Sequence, residues 1–287
     1  MQPSNIQTFK LGLIGYPLSH SFSPQIHAAA LQSCELQGDY SLFPIHPDDK
    51  QGLKHLLAQV HSGEIHGLNV TIPHKQNVIH FLDELTSTAQ AIGAVNTIYL
   101  HNDKLIGDNT DARGFLTDLK RAFEFSSFYL PPSALVLGAG GSARAIVYAL
   151  FNDGWDVTIA ARRIEQAQQL ADSFTNYQLQ LTNFTLSNLE LSNISLVVNT
   201  TPIGMTPNID QSPWPENLLF PPNAAIYDLV YNPRETKLVK DACSQGLPAT
   251  TGFGMLIEQA ALAFEIWTGH NPSREIMSAS VQQFSNL

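Results

Sequence analysis

The chain has 287 residues, of which 44% are hydrophobic and 9% aromatic, a length that is large for one core and comfortable for two lobes. A formal net charge of -10, with 15 Lys and Arg in total, excludes the basic footprint that non-specific nucleic-acid binding requires. It leaves room for an anionic small molecule, because one local cluster of donors can dominate a site. The two cysteines, Cys34 and Cys243, form neither a disulfide framework nor a CxxC pair, so a reduced, cytoplasmic setting is expected. The opening MQPSNIQTFK has no basic segment followed by an apolar one, so no secretory signal is expected. No apolar run is long enough to span a bilayer. The ten histidines make no recognisable metal set, so no metal is expected. His61 and His66 straddle a glycine, and the other histidines read as scattered surface or strand residues.

In chain order, KLGLIGYPL (10–18) is a strand ending in a glycine turn. SPQIHAAALQSC (23–34) has helical spacing, with Ser23 suited to the N-cap and Pro24 to the first helical position. DYSLFPIHP (39–47) alternates as a strand, and DDKQGLKHLLAQV (48–60) has the apolar spacing of a helix. GLNVTIPHK (67–75) is a short strand that Pro73 stops. It sets Asn69 and Thr71 on one face and Lys75 just past the end. That is either a polar strand face with a solvated lysine or a polar site at the open end of a sheet. A helical stretch surrounds VIHFLDEL (78–85), and AVNTIYLHNDKLIGDNTD (94–111) reads as two strands about an Asn-Asp turn. The alternation predicts a parallel-type α/β sheet.

ARGFLTDLKRAF (112–123) is a predicted helix, and SSFYLPPS (126–133) a connector. A second α/β alternation starts at ALVLGAGGSARAIVYALF and continues through WDVTIAARR, ISLVVNTTPIGM, AAIYDLVYNP and LPAT. Pro202 to Pro222 is a Pro-rich irregular loop, of a length usually functional or mobile. After TTGFGM the chain is helical to its end, in two segments.

LVLGAGGSARA carries G-x-G-x-x-A between an apolar β-branched run and a helical pattern. Gly138 permits the tight turn, Gly140 lets the backbone approach a pyrophosphate, and Ala143 lets the helix pack near the strand. The helix start then offers free N–H groups to phosphate. The bland alternative is a tight strand-to-helix turn with no ligand. The next strand ends in Ala160, Ala161, Arg162, Arg163, where an acid would hold the ribose 2′-hydroxyl of NAD. Two guanidiniums there suit a 2′-phosphate, so NADP is predicted over NAD. Glu165 lies further on, expected on the helix surface.

Four separated motifs, IGYPLSHSFSP (14–24), GLNVTIPHK (67–75), GAVNTI with GDNTDARGF (93–115) and GFGMLIEQAA (252–261), join GAGGSARA and NTTPIGM in one chain. With them the sequence resembles the shikimate dehydrogenase family along almost its whole length. The resemblance implies an α/β fold of two lobes. One is an N-terminal α/β substrate-binding lobe, residues 1–111 plus 255–287. The other, residues 112–254, is a Rossmann-type NADP-binding lobe with a parallel sheet, after which the C-terminal helices return to the first lobe. It implies NADP-linked, reversible reduction of 3-dehydroshikimate to shikimate, a step toward aromatic amino acids. The partner implied is a small-molecule substrate, with neither nucleic acid nor membrane, and a homodimer is compatible with it.

Carried over by position, the resemblance implies that Ser19 and Ser21 bind the substrate carboxylate. Asn69, Thr71, Asn96 and Gln259 bind ring hydroxyls, and Tyr231 also reaches the substrate. Lys75 and Asp111 match the catalytic pair. Gly138, Ala139, Gly140, Gly141, Ser142 and Ala143 would hold the cofactor, with Arg162, Arg163, Thr200, Val230, Gly252 and Met255. On residue type alone Ser19 and Ser21 read as ordinary turn residues; the bland alternatives are a buried strand asparagine for Asn96 and a solvated helix residue for Gln259, the latter set against the apolar surroundings of GFGMLIEQAA. A protonated Lys75 would stabilise a developing alkoxide, and a neutral one would be a general base; both stay open. The chain departs from the family at His74, where an aromatic residue is frequent, and at Ala161 and Arg163, where Asn-Arg-Thr or Ser-Arg-Thr is common. Two alternatives remain: a quinate/shikimate dehydrogenase with NAD use or a broader substrate range, and a non-catalytic nucleotide-binding regulator.

Overall fold

The computed structural model describes residues 7–123, 132–174, 179–183, 186 and 189–282. The first six residues and most of the expected connector at 126–133 lie outside the described residues. The chain divides into two compact units, Met1–Thr110 with Ile257–Leu287, and Asp111–Leu256.

In the first unit, β1 (Thr8–Gly15), β2 (Gln37–Pro44), β3 (Gly67–Val70), β4 (Glu84–Leu85), β5 (Thr97–His101) and β6 (Lys104–Asp108) form one sheet in the order β2-β1-β3-β5-β6-β4. β1 is parallel to β2 and β3, but β5 is antiparallel to β3 and β6, so the sheet is mixed rather than purely parallel. The turn explains the β5–β6 pair. Asn102 (φ 49) and Asp103 (φ 58) are both left-handed, and so short a link can only fold the chain back antiparallel.

Helix α1 (Ser23–Ser33) starts one residue earlier than the expected cap: Phe22 occupies the N-cap position, and the Ser21 Oγ accepts from the Ser23 N–H at 3.2 Å. In α2 (Lys50–His61), Asp49 accepts from the Gly52 N–H at 2.8 Å, and Leu53, Leu56, Leu57 and Val60 form the buried stripe. The stretch at 78–85 is not one helix. A 3-10 turn at Asn77–Phe81 gives way to β4, because Asp83 is captured by β6. Its N–H donates to the Leu105 carbonyl at 3.0 Å, and its carboxylate accepts from the Leu105 N–H at 2.7 Å. α3 (Ser87–Ile92), unanticipated from apolar spacing, is marked instead by its ends: Thr86 accepts from the Ala89 N–H and Gly93 is left-handed.

The second unit holds α4 (Asp111–Ala122), β7 (Ser133–Leu137), α5 (Gly141–Asn152), β8 (Asp156–Ala161), α6 (Ile164–Ser173), β9 (Gln180–Asn183), β10 (Leu196–Asn199), β11 (Ala225–Asp228), α7 (Lys237–Ser244) and β12 (Ala249–Thr251). Its sheet, β12-β11-β10-β7-β8-β9, is parallel throughout. Counted from β7, this is the strand order 3-2-1-4-5-6 of the doubly wound dinucleotide-binding fold, read from the far edge. The direction of winding reverses between β7 and β10. The Pro-rich loop is irregular as expected, but it is packed: Trp214 and Phe220 stack at 4.7 Å and are buried in the core with Leu137, Val197 and Ile226. α8 (Phe253–Thr268) begins in the second unit and continues into the first, where α9 (Arg274–Gln282) packs on α1. Among the described residues, no helix is long and apolar enough to cross a membrane.

Candidate active site

In the first unit the expected substrate residues leave one edge of the sheet. β1 and β3 are parallel and end there, and β5 starts there. The loop after β1 carries Ser19 and Ser21, the loop after β3 carries Thr71 and Lys75, and Asn96 directly precedes β5. Backbone bonds tie the loops: Tyr16 N–H to Ile72 O at 3.0 Å, Thr71 N–H to Ile14 O at 2.8 Å, and Val95 N–H to Lys75 O at 2.7 Å. Gly15 has no Cβ where one would strike the Thr71 methyl, so Thr71 can lie over the end of β1. Ser19 is exposed in its turn, and Ser21 is half-buried.

Lys75 is not a solvated tail, being 9% exposed, and Asn69 is 5% exposed, so β3 has no solvated polar face. His74 is buried too; its Nε2–H donates to the Ile45 carbonyl at 2.7 Å and clips the loop after β2 to the lysine-bearing turn. Asn69 Nδ2 donates to Asn96 O at 3.2 Å. The Asn96 Oδ1 accepts from the Thr110 N–H at 2.8 Å and the Thr97 hydroxyl at 2.9 Å. Its Nδ2 donates to Thr110 Oγ1 at 2.9 Å and Gln259 Oε1 at 3.4 Å. Gln259 is half-buried rather than solvated, and its carbonyl accepts from the Thr110 hydroxyl at 3.0 Å. Asn69, Asn96 and Gln259 are thus brought together, with Thr110 as an unanticipated fourth member.

In the second unit the glycine turn sits at the point where strand order reverses. Gly138 has φ 118, and a Cβ there would lie 2.5 Å from Thr200 Oγ1. Thr200 closes the crevice from β10, donating both its N–H (2.9 Å) and its hydroxyl (2.8 Å) to the Leu137 carbonyl. Gly140 is exposed, and a Cβ built on it meets nothing within 4 Å, so the backbone is open to a ligand there. Gly141 and Ser142 open α5, which has no side-chain cap, while Ala143 is fully buried against the sheet and Ala139 is half-buried. Arg162 and Arg163 are exposed at the end of β8, Arg163 at the N-cap position of α6, and Glu165 is exposed in its first turn. These residues fit an anionic dinucleotide. Gly252 has no Cβ because the Leu229 carbonyl occupies that space; Val230 and Met255 are buried. Tyr231 is half-buried, and burial pushes its hydroxyl pKa up.

Sequence reasoning missed one buried group in the second unit. Asp228, at the end of β11, is fully buried. It accepts from Asn199 Nδ2 (2.8 Å), Val230 N–H (3.0 Å) and the Thr236 hydroxyl (2.6 Å). Asn199 Oδ1 takes the Thr201 N–H at 2.9 Å. The pair stitches together the loops bearing Thr200 and Val230. Burial raises the Asp228 pKa to about 6, against the pull of its three donors. An acid closing an apolar strand, AAIYD, is the signal that could have found it. His27, expected among surface or strand histidines, lies instead in α1 with no exposure, and burial lowers its pKa to about 3. Among the described residues no three His, Cys, Asp or Glu could hold a metal ion.

Three family models match the chain: the shikimate dehydrogenase substrate binding domain at residues 13–98, shikimate / quinate 5-dehydrogenase at 127–216, and the shikimate 5'-dehydrogenase C-terminal domain at 252–282. A shikimate dehydrogenase (NADP(+)) of Desulforamulus reducens is 40% identical over 283 residues, covering 95% of this chain and 94% of its own. The chain belongs to the shikimate dehydrogenase family. Among solved members of that family, a shikimate dehydrogenase in complex with NADP+ superposes with a TM-score of 0.87 at 37% identity, covering 96% of each chain. The Thermus thermophilus shikimate 5-dehydrogenase, in complex with NADP(H) and shikimate, gives 0.83 at 36% identity, covering 96% of this chain and 99% of its own. The fold is therefore the two-lobed α/β fold of the shikimate dehydrogenases, with a Rossmann-type second unit.

Proposed function

We propose that the protein interconverts 3-dehydroshikimate and shikimate with NADP, the first unit binding substrate and the second the dinucleotide. One observation carries the reading most directly. A buried lysine, Lys75, lies in the turn after β3, where its backbone carbonyl accepts from Val95, the residue before Asn96 of the amide cluster Asn69, Asn96 and Gln259, in a member of this family. NADP, when bound, supplies the hydride chemistry. Ser19 and Ser21 hold the substrate carboxylate. Asn69, Thr71, Asn96, Gln259 and Tyr231 bind and orient the rest of the substrate. Lys75 and Asp111 hold and move the proton at the reacting oxygen. The turn from Gly138 to Ala143 takes the pyrophosphate, Arg162 and Arg163 the 2′-phosphate, and Thr200, Val230, Gly252 and Met255 complete the dinucleotide site.

The two free cysteines agree with a cytoplasmic setting. The test is a steady-state assay with shikimate and quinate, each with NAD+ and NADP+. Turnover should be highest with shikimate and NADP+. Turnover of quinate with NAD+ at an equal or greater kcat/KM would move the protein to the quinate side of the family, and none in any arm would make it a regulator.

A further inference from the structure

The Asn69 amide is held at both ends. Its Nδ2 faces a backbone carbonyl, Asn96 O, which can only accept, and this fixes which end of the amide is which. Its Oδ1 therefore faces Tyr40, whose hydroxyl donates to it at 2.8 Å. That leaves Asn69 one N–H for a ligand, since its Oδ1 also faces the buried His27 ring and raises the His27 pKa against the effect of burial. Tyr40 is on β2 and Asn69 on β3, with β1 between them. Leu11 pairs with both Tyr40 and Gly67, so Tyr40, Gly67 and Asn69 lie on one face, and the tyrosine ring crosses β1 to reach the amide.

The ring has little freedom on that face. His27 stacks flat on it, centroids 4.2 Å apart and planes within 2°. The His27 ring is in turn packed 5.4 Å from Trp267, whose Nε1–H donates to the Ile98 carbonyl at 3.1 Å. Gly67 makes room for that indole, since a Cβ would collide with it. Neither His27 nitrogen has a partner at hydrogen-bonding geometry. The imidazole is thus a plate in an aromatic stack that ends on the Tyr40 hydroxyl.

We propose that Tyr40, held by the His27 ring, is a positioning residue that presets the Asn69 amide to bind a substrate ring hydroxyl. The proposal rests on the reading of Asn69 as a substrate ligand. Presetting an amide before binding removes an ordering cost from association, so its loss falls on substrate affinity.

The test is a double-mutant cycle in the full-length enzyme with Tyr40→Phe, Asn69→Ala and both together. Tyr40→Phe should raise the KM for shikimate about tenfold, the worth of one lost buried hydrogen bond. It should leave kcat within about twofold and the KM for NADP+ unchanged. In the Asn69→Ala background it should add nothing. An equal effect of Tyr40→Phe in both backgrounds would make its role merely structural and overturn the proposal, as would an unchanged KM in the single variant. If Asn69→Ala itself leaves the shikimate KM unchanged, the reading of Asn69 fails instead.

Discussion

The two units build their candidate sites from different material. In the first unit the groups at the sheet edge are side chains: the buried Lys75, and Asn69, Asn96 and Gln259, which are held by another side chain or a carbonyl. In the second unit the central feature is backbone: a left-handed Gly138, an open Gly140 and the uncapped start of α5. Side-chain sites impose residue identities at distant positions, whereas backbone sites impose glycines at close ones.

The difference fixes where substitution should act. In the first unit, Lys75→Met should lower kcat about 10³-fold, the middle of the range for a positioned proton donor or acceptor. It should leave the shikimate KM within a few-fold and NADP+ binding intact, as read by steady-state kinetics and cofactor fluorescence. A large KM change with a small kcat change would make Lys75 a binding residue and weaken the contrast. Asp111→Asn, at the first residue of the second unit, should show the same split.

The contrast also explains what was legible. The turn at 138–143 could be read from spacing, because its three constraints fall within six positions and each is a local matter of sterics. The partners of the first unit's amides are 29, 27 and 163 positions away, and no local period records such pairings. Resemblance supplied Asn69, Asn96 and Gln259, but it did not supply Tyr40 or Thr110. The hairpin at 102–103 was legible from its Asn-Asp turn, while β4 was not, because a tertiary partner, β6, outcompeted local helical spacing at Asp83.

His27 in the first unit and Asp228 in the second are buried groups whose displaced pKa values bear on mildly acidic pH, and the two displacements have opposite signs. His27 has its pKa lowered to about 3, so between pH 6 and 4 the unfolded chain binds a proton that the folded one refuses. The first unit therefore loses stability as pH falls. Asp228 has its pKa raised to about 6, so over the same window the folded chain binds the proton first, and the second unit gains stability as pH falls. Each change is about 2 kcal/mol over two pH units. Hydrogen exchange on β1 and β3 amides, wild type against His27→Phe, and on β10 and β11 amides, wild type against Asp228→Asn, would read them separately. Difference slopes of the same sign in both units would break the comparison.

Within the backbone site, two glycines two positions apart should fail differently. Gly138→Ala meets both a strained φ and the Thr200 hydroxyl, and should cost about 1–3 kcal/mol of stability. Gly140→Ala has extended backbone and open space, so the fold should be unaffected while NADP+ affinity falls about tenfold. Thermal melts beside cofactor titrations separate the two. Undiminished NADP+ binding by Gly140→Ala would remove the pyrophosphate from that turn.

The smallest effect belongs to the second unit's paired arginines. Both are exposed, so a phosphate contact there is discounted by solvent, and Arg162→Ala should weaken NADP+ by about three- to fivefold while sparing NAD+. Arg163 sits at the start of α6, where a cation opposes the helix dipole by about 0.3–1 kcal/mol. Arg163→Ala should therefore raise stability slightly and still lower NADP+ affinity. Opposed signs in one variant are what a residue kept for a ligand produces. A residue kept for the fold would lose stability on removal, and an idle one would leave NADP+ affinity unchanged. Equal weakening of NAD+ and NADP+ by either variant would place the arginines away from the 2′-phosphate.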